Sequence, residues 1–126
     1  MITEDYVSFE VAKLLKDKGF PQKCPHYYLD DQRFRHCCYE TIPKDKEIYD
    51  APTQAVAMKW LREVYNLGVF PSTYHIMRGS KEEHVYGSAI VNLTTFDLIC
   101  DDIMPKDSYE EACEVAIKYC LENLIK

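Results

Sequence analysis

The chain is expected to fold as an α+β protein, an antiparallel sheet with three helices packed on it in the order α-β-β-(β)-α-β-β-(β)-α. Three observations predict this. Apolar residues recur at three-and-four spacing in three separate segments. Strand-like runs come consecutively with short polar turns between them, which argues for antiparallel neighbours with helices segregated on the sheet. No low-complexity linker divides residues 1–126, and that length is near the size of one domain.

The first helix is expected over Val7 to Lys18. Ser8 is its candidate N-cap, Val11, Leu14 and Leu15 form its apolar face, and Gly19 stops it with Pro21 just beyond. His26-Tyr27-Tyr28-Leu29 and Phe34 to Glu40 read as two strands around the turn Asp30-Asp31-Gln32, and Pro43 to Asp50 as a loop or a short third strand. Pro52 and Thr53 open a second helix that runs to about Asn66 and ends at Gly68. Its buried face carries Ala57, Trp60, Leu61 and Val64.

Tyr74, Ile76, Tyr86, Ser88 and Ile90 alternate with Val85, Gly87, Ala89 and Val91, the pattern of a hairpin whose loop is the polar run Arg78 to Glu83. Phe96 to Cys100 adds a strand. Ser108 with Glu111 forms a capping box, and behind it Ala112, Val115, Ala116, Tyr119 and Leu124 share one face of a third helix. Trp60, Leu61, Val64, Val115, Ala116 and Tyr119 are expected in the core. A helix followed by Gly19-Phe20-Pro21, and again by Gly68-Val69-Phe70-Pro71, hints at a doubled unit.

Charge narrows the function classes. The net charge is −6, and residues 101–126 hold three basic against seven acidic groups. A chain with no Lys/Arg cluster lacks the electrostatic footprint of a phosphate-backbone binder. The acidic start, Met1 to Asp5, has no apolar run behind it and is not expected to be a signal peptide. No stretch approaches the ~20 apolar residues of a membrane span. A cytoplasmic location follows as the expectation, and with it six cysteines that remain thiols without disulfides. The ten tyrosines imply half-buried sheet surfaces whose hydroxyls reach water or a partner.

Two helical stretches and a third at the N-terminus carry a resemblance. They are Ala51-Pro52-Thr53-Gln54 running into Lys59-Trp60-Leu61-Arg62-Glu63-Val64, Tyr109-Glu110-Glu111-Ala112 running into Lys118 to Leu124, and Leu14 to Phe20. Together they resemble a group of small uncharacterised proteins carried by gut-bacterial genomes and their phages or other mobile elements, a group with no assigned activity. The resemblance implies an accessory protein rather than a metabolic enzyme. It rests on helix faces and caps, so no functional residue carries over.

The sharpest chemical candidate is on the first hairpin. With Leu29 opposite Arg33, His26 faces His36 and Cys24 faces Cys38, all on one side, because residues two apart share a face. Cys24, His26, His36 and Cys38 are the ligand types of a zinc site. A loop one residue longer or shorter brings Cys37 beside Cys24 and His26 instead. Four ligands on one flat hairpin converge poorly, and the spacings match no standard zinc module, so no metal or other cofactor is expected. Cys113 and Cys120 on the third helix are the other nucleophile candidates, with burial as the plainer account. Asp101, Asp102, Asp107, Glu110, Glu111 and Glu114 form an acidic run that lacks calcium-loop spacing and suits a helix N-terminus instead. No phosphate loop, G-x-S-x-G elbow or H-E-x-x-H is present.

These observations place a protein-interaction module first, one that binds a protein partner or a second copy of itself. From Thr53 onward the order helix, three strands, helix matches that of a double-stranded-RNA-binding domain, but residues 51–126 carry seven basic against eleven acidic groups. A Cys/His-dependent enzyme or zinc domain rests on composition alone. A homodimer is the specific expectation. A sheet covered on one side should be polar on the other, yet Val85, Ala89, Val91 and Leu93 oppose Tyr86 and Ile90. Either the first helix or a two-fold partner must cover that second face.

Overall fold

A computed structural model describes residues 4–36, 42–100 and 108–125. Among these the chain forms α1 (Phe9–Asp17), β1 (His26–Tyr28), β2 (Phe34–His36), β3 (Tyr49–Asp50), α2 (Gln54–Tyr65), β4 (Leu67–Arg78), β5 (Lys81–Asn92), β6 (Leu98–Cys100) and α3 (Tyr109–Tyr119), with a π-helical turn at Cys120–Leu124. The class is α+β and the element order follows the expected one.

Each helix starts where a hydroxyl can take up an orphan amide. Ser8, Thr53 and Ser108 have extended backbones, and their side chains accept from Val11 N (3.2 Å), Val56 N (3.2 Å) and Glu111 N (3.1 Å). α1 stops as expected at Gly19, whose φ of +86° lets Phe20 N return to Leu15 O at 2.9 Å. α2 stops one step earlier than expected. Asn66 adopts the left-handed conformation (φ 56°), which its short polar side chain tolerates, and Gly68 lies inside β4.

The strands form two antiparallel sheets, ordered β2-β1-β3 and β4-β5-β6. The repeated Gly-Phe-Pro letters therefore mark two α-β-β-β units alike in element order but not in strand order. In the first sheet His26 pairs with His36 and Tyr28 with Phe34, the register that places Leu29 opposite Arg33. In the second, Leu67 pairs with Asn92 and the ladder runs unbroken to Arg78 with Lys81. The polar run Arg78 to Glu83, expected as a loop, is mostly strand. Only Gly79 and Ser80 turn, and Gly79 alone has positive φ (65°), the Gly-X form of a two-residue hairpin turn. Two twelve-residue strands thus extend about 40 Å, well beyond β6, which pairs only at Ile90 and Val91. Pro71 is tolerated because β4 is an edge strand.

α2 and α3 cover one face of the second sheet, while α1 packs on β3 and α3. Val7, Val11, Leu15, Ala57, Leu61, Leu67, Ile90, Ala116, Ile117 and Leu121 meet in one core. Leu61 and Ala116 are buried as expected, and Trp60, Val115 and Tyr119 are half-buried. Trp60 stands edge-on to Phe20 (5.3 Å) and Tyr65 (5.2 Å). Val64 is a correction: it is 54% exposed. The buried stripe of α2 runs through Gln54, Ala57 and Leu61 to half-buried Tyr65, which leaves Val64 on the flank.

One polar junction ties the helices together. The Glu114 carboxylate on α3 accepts from Ser8 N at the start of α1 (3.0 Å) and from Gln54 Nε2 on α2 (3.3 Å). Gln54 Nε2 also donates to Glu110 O at 2.9 Å, so this buried amide is satisfied.

Candidate functional site

The first hairpin brings His26 and His36 together as its register requires. Their rings stack at 4.4 Å with an interplanar angle of 27°, and Phe34 stacks on His26 at 5.0 Å, with Tyr6 against it at 4.3 Å. This is a ladder of parallel rings, not a convergence of lone pairs. Cys24 is buried; its thiol donates to Gln22 O at 3.5 Å and its backbone N–H to Asp50 Oδ1 at 3.0 Å. Burial, and then the Asp50 charge, push the Cys24 thiol up to about 11, away from the thiolate that zinc requires. A cleft of about 180 Å³ lies beside Cys24 and His26. Cys37 and Cys38 fall outside the described residues. Among the described residues no three His, Cys, Asp or Glu side chains gather as a metal site.

Cys113 and Cys120 are fully buried, and desolvation raises their thiols to about 11 and about 12. Both are held protonated at neutral pH, so neither offers a ready nucleophile. Among the described residues neither these two nor Cys24 and Cys100 form a disulfide.

Of the acidic run, Asp101, Asp102 and Asp107 fall outside the described residues. Glu110 and Glu111 occupy the first turn of α3, where the helix dipole favours them, and Glu114 is engaged in the helix junction. Asp5 lies beside them; desolvation, and then the Glu110 charge, raise its carboxyl above the usual range.

The outer face of the β4-β5-β6 sheet is partly exposed, although Val85 on it is buried. Residues directly opposite in the ladder share a face. Leu67, Val69, Ser88, Ile90 and Cys100 face inward: Ile90 is in the core, and Ser88 Oγ donates to Ala112 O on α3 at 3.1 Å. The opposite set is Gly68, Phe70, Ser72, Tyr74 and Ile76 on β4, Val85, Gly87, Ala89 and Val91 on β5, and Leu98 on β6. Its first charged side chain is Glu83, directly opposite Ile76. Phe70 is 49% exposed, Tyr74 37% and Leu98 57%. The β5 half of this face is legible in the sequence as apolar residues on both alternations. Phe70 and Leu98 are not singled out there, because Phe70 reads as part of a turn and Leu98 as one residue of a short strand.

Compared with protein-family models, with curated proteins and with solved structures, the chain matches none.

Proposed function

We propose that this chain is a small accessory interaction module that joins a second copy of itself, sheet face to sheet face, through Phe70, Tyr74, Val91 and Leu98. The observation that carries the reading is the set of exposed side chains Phe70, Tyr74 and Leu98 on the side of the sheet opposite α2 and α3. Among the described residues α1 packs on β3 and α3 instead of on this face. Contiguous apolar patches of this kind are scarce on monomers.

Charge favours a copy over a polyanion or a basic partner. A chain of net charge −6 repels its like unless the contact surface is neutral, and this face is neutral from Gly68 to Tyr74 and from Val85 to Leu93, up to Glu83 opposite Ile76. At its end Arg78 and Glu83 already pair at 3.0 Å, a balanced set that two-fold symmetry can reuse. Two such sheets pack face to face at about 10 Å separation, with aromatic side chains interdigitating.

The nucleic-acid reading has only element order behind it. The projecting ribbon carries Arg78 and Lys81 against Glu82 and Glu83, so it has no net positive charge to offer a phosphate backbone. Among the described residues no helix is long and apolar enough to cross a membrane.

Concentration-dependent amide NMR tests the proposal. Shifts that grow between ~10 µM and ~1 mM should map to residues 68–76, 85–93 and 98. The variant Phe70→Glu, at an exposed position, should fold and lose them. Shifts clustered on α1 or the first hairpin, or no shifts at all, would contradict it.

A further inference from the structure

On the opposite face of the projecting ribbon, His75 and His84 are direct cross-strand partners with ring centroids 4.1 Å apart. They are tilted by 54°, so they do not stack as His26 and His36 do. The next partners on that face are Met77 and Glu82, and the Glu82 Oε1 lies 2.7 Å from His75 Nδ1. A carboxylate can only accept, so Nδ1 carries the proton of this contact, and in the neutral ring the lone pair is on Nε2. This is the arrangement in which a carboxylate fixes the tautomer and orientation of a metal-bound imidazole.

We infer that His75 and His84 form a two-imidazole site for a borderline divalent transition metal such as zinc or nickel, with Glu82 as the positioning residue for His75. Zinc–imidazole bonds are ~2.0–2.1 Å long, so two imidazoles on one ion are neighbouring rings, as His75 and His84 are. Water completes the shell, since the His75 side chain is 60% exposed and His84 is exposed as well. The scaffold favours the pair: a two-residue turn and an unbroken ladder fix the register of 75 against 84, and nearby Cβ atoms across a ladder stand ~4.5–5.5 Å apart. Imidazole selects zinc, nickel or copper over calcium or magnesium, which need oxygen donors. The first-hairpin histidines offer no equal site, because His26 is wedged among Tyr6, Phe34 and His36 with its Nδ1 buried.

Titration of the intact chain with zinc and with nickel chloride tests this, read by calorimetry and by the four histidine ring-proton resonances. One ion should bind per chain, and nickel should broaden two of the four resonances together, those absent from His75→Asn and His84→Asn. Either variant should weaken binding at least tenfold, and Glu82→Gln about tenfold through lost orientation. All three positions are exposed, so circular dichroism should be unchanged. Broadening of the His26 and His36 resonances instead, or binding indifferent to His75→Asn and His84→Asn, would overturn the site; unaltered affinity in Glu82→Gln would overturn the role given to Glu82.

Discussion

The Phe70 ring lies over Gly68 on the outer sheet face. A Cβ placed on Gly68 would stand 2.7 Å from Phe70 Cε2 and 2.9 Å from Leu93 Cδ2. The bare glycine backbone thus forms the floor on which an aromatic ring rests, two residues along the same strand face, with Leu93 beside it. That seat keeps the half-exposed ring flat on the sheet, where it widens the apolar surface.

Gly68→Ala should separate association from stability. The added methyl meets the far end of a movable, half-exposed ring, which can swing outward. Alanine also removes the backbone freedom that glycine loses on folding, ~0.5–1 kcal/mol in its favour. Urea unfolding should therefore change by less than about 1 kcal/mol, while self-association weakens because Phe70 is lifted from its seat. A large loss of stability would show that the ring cannot move.

Glu114→Ala should cost about 1–3 kcal/mol of stability, the price of leaving buried donors unmet. It removes the acceptor of Ser8 N and one acceptor of Gln54 Nε2, and so loosens the meeting of α1, α2 and α3. Equilibrium urea unfolding measures it. A value within 0.5 kcal/mol (roughly the size of an ordinary surface change) would mean water replaces the carboxylate freely.

Stability should decline on mild acidification through His26. Desolvation, and then the neighbouring His36, lower its pKa from the ordinary 6.5. The unfolded chain therefore takes up a proton at higher pH than the folded one. The contribution is complete above pH 6.5 and is lost as pH falls toward the lowered native value. Asp31 and Glu47 have depressed values too, from ordinary values of 3.8 and 4.5, and so act only in more acidic solution. Denaturant midpoints measured from pH 7.5 to 5 should fall, and His26→Phe should flatten that slope. An equal slope in the variant would assign it elsewhere.

Alkylation at neutral pH should spare Cys113 and Cys120 in the folded chain. Their thiols are fully buried and raised to about 11 and about 12, so both thiolate and access are lacking. Peptide mapping after iodoacetamide treatment, with and without urea, checks this. Modification of either residue without urea, at the rate of an exposed thiol, would contradict their burial.

The caps were the most legible part of the fold. Ser8, Thr53 and Ser108 announce their helices because a short hydroxyl side chain before an apolar repeat has one favourable use. The register of the first hairpin was legible for a similar reason, since the turn length dictates it. Other features depend on tertiary structure. Val64 fits the spacing of a buried face, but the stripe on α2 is fixed by where β4 and α3 lie, which spacing alone does not encode. Residues Arg78 to Glu83 are polar because the ribbon leaves the body of the protein, and a solvated strand looks like a loop in sequence. His75 and His84 are not legible as a pair, because the strands that join them run through that same polar segment. The β5 half of the outer face was visible as apolar residues on both alternations, whereas its β4 half depended on knowing that Phe70 lies in a strand.

Whether two chains meet on that face is measured most directly by sedimentation equilibrium. From ~10 µM to ~1 mM the average mass of the wild-type chain should rise from near 14.8 kDa toward twice that value, while Phe70→Glu stays at 14.8 kDa. A wild-type mass of 14.8 kDa throughout that range, or a dimer untouched by Phe70→Glu, would contradict that contact.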